Sequence, residues 1–239
     1  MPNSRLTISH GGRELAGVVR EGEAWIAAAR RTSATVTGEP VPIDLSADPQ
    51  RWLVDHDNVV ALRPMSRGDL PLVAHWLSSP HVEKWWHSEG ATTLEAVTER
   101  YGPDIDGMTP TRRWVVEING RSMGFVQDYR VGDYPEFALL APDPDAIGCD
   151  YVIGEPEWIG RGFGTRALWA WMVKTAHRLP DATAYFAAPD HRNAASLRML
   201  DKLGFTQGLW FDEPQRSGSV TTCVGCTLDV RRVLGMMTP

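Results

Sequence analysis

The alternation of apolar and polar positions predicts a mixed α/β protein built from short strands and amphipathic helices. Apolar runs rich in β-branched residues are typical of strands, and apolar residues spaced three or four positions apart are typical of helices. Strands are predicted at residues 59–64, 113–118, 122–129, 149–153 and 182–187, and two more close the chain. Helices are predicted after Ser66, near 93–101, at 165–179 and after Asn193. This order indicates an α/β (α+β) fold with a mixed, mostly antiparallel twisted sheet, one parallel pair of strands, and flanking helices.

Two local signals refine this pattern. Asn119-Gly120 separates two strand-like runs and predicts a tight hairpin turn. Residues 1–58 carry only short strand patterns, at 6–9, 15–19 and 24–28, with glycine-containing turns between them. We therefore predict a small β-rich appendage at 1–58, a main domain at 59–232 and a tail at 233–239. The appendage is interpreted as a packing or dimerisation element rather than a catalytic one.

Composition narrows the class of protein. The 239 residues are 43% hydrophobic and 23% charged, with a formal net charge of −6. These values are typical of a globular domain, argue against a nucleic-acid partner, and leave room for a cationic substrate. The chain contains no apolar run of transmembrane length and no signal-peptide core, so we expect a cytoplasmic location and no membrane partner. Either a monomer or a homodimer is compatible with the sequence.

The cysteines do not indicate a metal site. Cys223 and Cys226 form one Cys-x-x-Cys pair, but no second pair and no paired histidines accompany it. A structural zinc site needs four ligands. Because residues 220–228 alternate as a strand does, we interpret both cysteines as strand residues and predict no metal.

The segment 159–168 carries the strongest chemical signal. It is rich in glycine and arginine, and it leads directly into a predicted helix. Glycines allow the backbone to approach an anion, and a helix start presents free N–H groups together with the positive end of its dipole. The segment therefore predicts a pyrophosphate site. Thr165-Arg166 follows the last glycine, which does not match a P-loop, and the glycine spacing does not match a dinucleotide fingerprint.

The pattern Arg-Gly-x-Gly-Thr resembles the acyl-CoA loop of the GCN5-related N-acetyltransferase (GNAT) superfamily. Residues 188–205, with Asn193, a short helix and a closing Gly-Phe, resemble the second signature of that family. The resemblance implies a GNAT fold over 59–232, acetyl-CoA as co-substrate, and direct transfer in a ternary complex. The residues expected to hold the cofactor are Val152, Ile153, Arg161, Gly162, Phe163, Gly164, Thr165, Arg166, Asn193 and Ser196.

An acetyltransferase also needs a group that removes a proton from the attacking ammonium. Asp150 lies in an otherwise apolar strand just before the acyl-CoA loop, and we predict that it is the catalytic base. The alternative is a structural aspartate paired with an arginine. Cys149 is expected to point to the opposite face of the strand, because side chains alternate.

Three blocks of the chain resemble aminoglycoside 6′-N-acetyltransferases. They are Trp76-Leu77 with residues 81–86, residues 123–129, and residues 147–154 with the acyl-CoA loop. The resemblance implies an antibiotic-resistance type of enzyme that acetylates the 6′-amine of a small polycation. The substrate site is expected to contain Trp85, Trp86, Gln127, Tyr129 and Asp150. Of the tryptophan pair, we expect one ring to pack inward and the other to form a wall of the pocket.

Ala188 stands where that family often has an aspartate that holds a substrate amine, so this chain departs from the pattern there. Four acidic residues in the loop after 130 could attract a polycation or could simply be solvated: Asp133, Glu136, Asp143 and Asp145. Residues 189–193 also resemble siderophore-type acetyltransferases, so acylation of a hydroxylysine-like hydroxylamine is one alternative. A non-catalytic acetyl-CoA-binding module is another.

Overall fold

After the appendage, the predicted strands and helices occur in the predicted order, with bounds that shift by a few residues. Two short helices, Pro80–Glu83 and Val230–Leu234, were not predicted. The computed structural model describes residues 7–10, 13–16, 35–37, 58–86, 91–134, 141, 143–214 and 220–234. The strands after the appendage are β4 Val60–Pro64, β5 Arg112–Ile118, β6 Arg121–Arg130, β7 Ile147–Ile153, β8 Ala184–Ala187, β9 Thr206–Pro214 and β10 Val220–Asp229. The helices are α1 Leu70–Leu77, α2 Pro80–Glu83, α3 Leu94–Ile105, α4 Phe163–Arg178, α5 Ala194–Leu203 and α6 Val230–Leu234.

Within the described residues, the main sheet has seven strands in the order β4-β5-β6-β7-β8-β10-β9. Strand β4 pairs antiparallel with β5, β5 with β6, β8 with β10, and β10 with β9. Strands β7 and β8 form the parallel pair. The predicted mixed and mostly antiparallel sheet is therefore confirmed.

The described residues of the appendage form a second sheet of three strands. These are β1 Thr7–His10, β2 Arg13–Ala16 and β3 Thr35–Thr37, in the order β2-β1-β3 with antiparallel pairing. The predicted β-rich character is confirmed, although the sequence pattern did not indicate β3. The strand predicted at 24–28 lies outside the described residues.

The described residues form two compact units. One comprises the described parts of 1–49, 130–148 and 181–239, and the other comprises those of 50–129 and 149–180. Helix α6 ends at Leu234, inside the segment expected to be a tail. The division into an appendage, a main domain and a tail remains a prediction.

The second unit has its own hydrophobic core, formed where α1 and α3 pack on β5, β6 and β7. Trp76 and Phe125 lie at its centre, both essentially inaccessible, with ring centroids 6.4 Å apart. Burying a side chain of this size contributes about 1.5–3 kcal/mol. Gly154 is needed beside Trp76, because a Cβ at that position would lie 2.1 Å from the indole ring. This close approach holds the end of β7 against α1.

The three cysteines are buried and make no disulfide. Cys223 and Cys226 lie in β10, as the alternation predicted, and burial raises the pKa of Cys226 to about 12. Within the described residues, no cluster of three histidine, cysteine or acidic side chains could hold a metal ion. None of the helices in that part of the chain is long and apolar enough to cross a membrane.

Candidate active site

Three of the predicted substrate-site residues meet at the carboxylate of Asp150. Gln127 and Tyr129 lie two positions apart on β6, so both side chains project from the same face of the strand. The Gln127 Nε2 donates to Asp150 Oδ2 at 2.7 Å, and the Tyr129 hydroxyl donates to the same carboxylate. Asp150 is only half-buried, whereas its neighbours Cys149 and Val152 are buried. Asp150 is thus partly exposed, and its contact with a substrate remains a prediction.

The alternate residue of β6 anchors the strand on the other face of the sheet. Asp128 is buried, and its Oδ2 accepts bonds from the indole N–H groups of Trp114 at 2.6 Å and Trp171 at 3.0 Å. Its Oδ1 accepts a bond from Arg178 Nη2 at 2.5 Å. These contacts tie α4 to β5 and β6. They fix which face of β6 presents Gln127 and Tyr129.

A buried ion pair lies behind Gln127, and the sequence pattern did not reveal it. The Arg113 Nη1 donates to Gln127 Oε1, while its Nε and Nη2 both lie 2.6 Å from Asp104 Oδ2. The guanidinium carbon stacks 3.6 Å from the centroid of the Tyr101 ring. The arginine doublet at 112–113, beside the apolar run 114–116 of the same strand, was the signal that could have indicated it. In the alternative interpretation a structural aspartate pairs with an arginine. Here Arg113 reaches Asp150 only through Gln127, and the catalytic role of Asp150 stays a prediction.

The environment of Asp150 changes its acidity. Burial raises its pKa above the usual range, and the hydrogen bonds from Gln127 and Tyr129 and the positive charge of Arg113 lower it by less. The net direction is upward, so this carboxylate holds a proton more firmly than an exposed aspartate does. A base with a raised pKa is better matched to accepting a proton near neutral pH.

The tryptophan pair divides its contacts. Trp86 is half-buried and packs edge-on against Phe125, with centroids 5.2 Å apart. Trp85 is half-buried as well, and Lys84 Nζ lies 4.5 Å from its ring centroid. Trp86 is thus the ring that packs inward, while Trp85 carries a cation on its face. Their roles toward a substrate remain predictions.

The last residues of β7 approach their neighbours through backbone groups. Val152 is buried, and its carbonyl oxygen would lie 2.0 Å from a Cβ at Gly124. The Ile153 carbonyl accepts a hydrogen bond from His81 Nε2 at 3.0 Å, if that nitrogen carries the proton. His81 thus joins α2 to the end of β7, a contact that the sequence pattern did not indicate. Val152 and Ile153 remain predicted contacts of acetyl-CoA.

The glycine-rich loop has the geometry that its sequence predicts for an anion site. Gly160 and Gly162 have φ angles of +74° and +83°, which favour glycine, and a Cβ at either position would meet no heavy atom within 4 Å. Gly162 is the N-cap of α4 and offers no side chain, so no side-chain cap covers the first N–H groups of this helix. Arg161 is exposed beside them. These features fit the pyrophosphate of CoA.

The other predicted loop residues support the start of α4. Phe163 is buried and packs edge-on against Trp158, with centroids 4.9 Å apart, and Thr165 is buried. The Arg166 Nη2 donates to the carbonyl of Asn58 at 2.6 Å, so its guanidinium already has a backbone partner. Gly164 is half-buried in the first turn. Their contacts with acetyl-CoA remain predictions.

Asn193 and Ser196 lie in the other compact unit. Asn193 is the N-cap of α5, and its Oδ1 accepts a hydrogen bond from the backbone N–H of Ser196 at 3.1 Å. Gly204, with a φ of +92°, ends this helix. The predicted contact of Asn193 with the pantetheine arm remains a prediction, and its capping role is the function that the structure displays.

The acidic residues of the loop after β6 have partners of their own. Asp145 Oδ1 accepts from Arg130 at 2.9 Å, and Asp143 Oδ2 accepts from Thr183 at 3.2 Å. Asp133 lies in a short 3-10 turn, and Glu136 lies outside the described residues. Two of the four therefore already have partners within the protein, and attraction of a polycation by this loop remains a prediction.

Comparisons with known proteins identify the family. Residues 66–212 match the sequence model of the acetyltransferase (GNAT) domain. The chain is 28% identical over 172 residues to aminoglycoside N(6′)-acetyltransferase type 1 of Klebsiella pneumoniae, a match that covers 71% of this chain and 81% of the relative. It is also 25% identical over 152 residues to spermidine N(1)-acetyltransferase of Escherichia coli strain K12, a match that covers 62% of this chain and 73% of the relative.

Solved structures agree with this result. The structure of AAC(6′)-Ib in complex with ribostamycin and coenzyme A matches with a TM-score of 0.63 and 25% identity, covering 75% of this chain and 98% of that one. The resemblance predicted from the acyl-CoA loop and the Asn193 segment is confirmed. The chain belongs to the GNAT family, and it is an N-acetyltransferase that takes its acetyl group from acetyl-CoA.

Proposed function

We propose that this enzyme acetylates the 6′-amine of an aminoglycoside. The observation that carries the proposal is the meeting of Gln127 and Tyr129 at the carboxylate of Asp150, at a half-buried position of β7. A carboxylate held in this way can bind an ammonium group and then accept one of its protons. Its raised pKa favours that transfer.

In the proposed reaction the protein removes a proton from the substrate ammonium and polarises the thioester carbonyl of acetyl-CoA. Acetyl-CoA supplies the acetyl group as a thioester. Asp150 accepts one proton from the substrate ammonium, which leaves a neutral amine able to attack the acetyl carbon. The new C–N bond forms as the C–S bond breaks, a second amine proton passes to the departing sulfur, the third stays as the amide N–H, and the products are an acetamide and CoA. Backbone N–H groups near Val152 and Ile153 would polarise the thioester carbonyl.

Aromatic rings among the residues predicted for the substrate site suit a cationic sugar. The faces of Trp85 and Trp86 can pack against a ring or a charged amine, and Trp85 already has Lys84 over its face. The Klebsiella relative is an aminoglycoside acetyltransferase by name, and the match covers most of its length. If the substrate is an aminoglycoside, a role in antibiotic resistance follows as part of the proposal.

A polyamine is the second candidate, because the spermidine acetyltransferase of E. coli is also similar over much of its length. A hydroxylysine-like hydroxylamine is the third. A hydroxylamine is neutral near pH 7, so it has less need of the anionic carboxylate that Asp150 provides. The arrangement at Asp150 therefore favours a protonated amine.

The test is thiol release from acetyl-CoA with a panel of acceptors. The panel contains kanamycin, tobramycin, gentamicin, spermidine, a plain diamine and hydroxylysine. Neomycin and paromomycin form a matched pair, since paromomycin has a hydroxyl in place of the 6′-amine. Turnover with neomycin and not with paromomycin supports the 6′-position. Equal turnover with neomycin and paromomycin contradicts the 6′-position. Turnover only with spermidine, or only with hydroxylysine, would show that the substrate is a polyamine or a hydroxylamine instead.

A further inference from the structure

We propose that Arg113 is a positioning residue that sets the orientation and the proton affinity of Asp150 through Gln127. The inference rests on the proposed function, in which Asp150 accepts the amine proton. It adds a part of the site that lies behind the acceptor pocket.

The sheet places Arg113 directly opposite Gln127. The two residues are cross-strand partners in the antiparallel pair of β5 and β6. The Arg113 side chain is only 7% exposed, and its guanidinium is held between Asp104 at 2.6 Å and the Tyr101 ring at 3.6 Å. Asp104 is held in turn by the Thr109 hydroxyl at 2.6 Å. A buried guanidinium with these contacts has a fixed position.

This position decides which way the Gln127 amide points. An arginine can only donate hydrogen bonds, so the group that faces Arg113 must be the carbonyl oxygen of the amide. The NH₂ group then necessarily faces Asp150, where it donates at 2.7 Å. Without Arg113 the Gln127 amide could rotate and turn its oxygen toward Asp150. The negative carboxylate and the amide oxygen would then repel each other. Arg113 thus ensures that Asp150 receives a donor.

The charges around Asp150 show why the guanidinium matters. The groups that affect its titration are Gln127 and Tyr129 from β6 and Arg113 from β5. On α3, Tyr101 and Asp104 act on Arg113 itself. Burying a charged guanidinium is costly unless it is paired. Asp104 supplies that pairing, and the remaining influence of the positive charge favours the carboxylate form of Asp150.

The experiment measures the titration of Asp150 directly. The protein is labelled with ¹³C at the aspartate carboxyl carbons, and the Asp150 resonance is identified by its loss in D150N. In R113M the titration midpoint should rise by on the order of one pH unit, since an opposite charge has been removed and the amide is free to rotate. R113Q removes the charge but keeps hydrogen-bond donors, and it should shift the midpoint in the same direction. R113K keeps the charge and should stay closer to the wild-type value.

R67M is the matched control. Arg67 forms a similar ion pair, at 2.5 Å, with Asp106, which directly follows helix α3, but the Arg67 side chain is exposed. The Asp150 midpoint of R67M should equal that of the wild type. A wild-type midpoint in R113M overturns the proposal, and if R113M does not fold, R113Q decides by the same two outcomes. The titration needs no substrate, so a failure of the proposed function, seen as absent turnover of the wild type on aminoglycosides, is distinguished from a failure of this inference.

Discussion

The Gln127 Nε2 donates to the Asp150 Oδ2 at 2.7 Å, across two strands whose residues are 23 positions apart in the chain. This bond places a neutral donor beside a carboxylate whose burial favours its protonated form. The Gln127 hydrogen bond lowers the pKa of Asp150 and burial raises it, and the balance between these effects determines the pH range over which Asp150 can act as a base.

Asp150→Asn should reduce kcat by about 10²- to 10⁴-fold, because an amide cannot accept the proton of the ammonium. The Kd of acetyl-CoA, measured by calorimetry, should stay within about twofold, since the loop at 160–165 is unchanged. Asp106→Asn removes an exposed carboxylate and should leave kcat unaffected. Wild-type turnover in D150N would show that Asp150 is not the base.

The acid limb of the kcat/KM profile should lie above the ordinary aspartate pKa of about 3.9. The sign follows from the raised pKa of Asp150: the active carboxylate is lost as the pH falls through that raised value. Gln127→Leu removes a donor that lowers the pKa of Asp150, so the limb should move up by a further half to one pH unit, roughly the value of one hydrogen bond. A limb that stays in place or moves to lower pH would contradict this account.

Gly162→Ala should weaken acetyl-CoA binding by about five- to thirtyfold, because a left-handed backbone costs an alanine about 1–2 kcal/mol and the loop can relieve that strain by changing shape. Gly107→Ala is the control, since Gly107 has a φ of +73° with equally open space but lies after α3. Calorimetric titration with acetyl-CoA compares the two variants. Equal affinities would mean that the loop conformation is not required for the cofactor.

Gly154→Ala should lower the free energy of unfolding by about 1–3 kcal/mol or more, because the new methyl group would lie 2.1 Å from the Trp76 ring in a close-packed core. Gly68→Ala is the control, since its Cβ would lie 3.5 Å from the nearest atom, an ordinary contact. Urea denaturation of both variants gives the comparison. If G154A and G68A have the same stability, Trp76 has room to move and the close approach is not important.

Asp69 should make stability depend on pH in the acid range. Its pKa is lowered to about 2, mainly by hydrogen bonds from Arg63, with further bonds from Ser66. A lowered pKa contributes stability that is present above the unfolded value of about 3.9 and is lost as the pH falls toward 2. We expect about 1–2 kcal/mol, reduced by the partial exposure of Arg63. Unfolding curves of Asp69→Asn at pH 6 and pH 3 should differ less than those of the wild type, and an equal difference would refute the assignment.

Turns and helix ends of this protein are encoded by a few neighbouring residues, so they could be predicted from the sequence. The Asn119-Gly120 turn is confirmed with φ angles of +50° and +77°, since both residues tolerate the left-handed backbone that a tight hairpin needs. Gly162 before α4 and Gly204 after α5 also have the conformations that their positions imply. The resemblance put Gln127 and Tyr129 in one site, and their two-residue spacing on one strand agrees with a common face.

The partners of Asp150 beyond β6 depended on strand register, which no local pattern encodes. Near the hairpin, Ile118 opposes Arg121, and a bulge after Val116 then shifts the pairing by one residue. Without the bulge, Arg113 would oppose residue 126 and its side chain would face away from Gln127.

The sequence by itself therefore determined the elements, their order, the glycine-rich anion loop and the family, because periodicity, turn chemistry and motif spacing act over a few residues. Only the tertiary structure decided that Asp104 and Arg113 stand behind Gln127. Those contacts depend on the shifted register of β5 and β6 and on the packing of α3 against β5, and both are set by interactions between residues far apart in the chain.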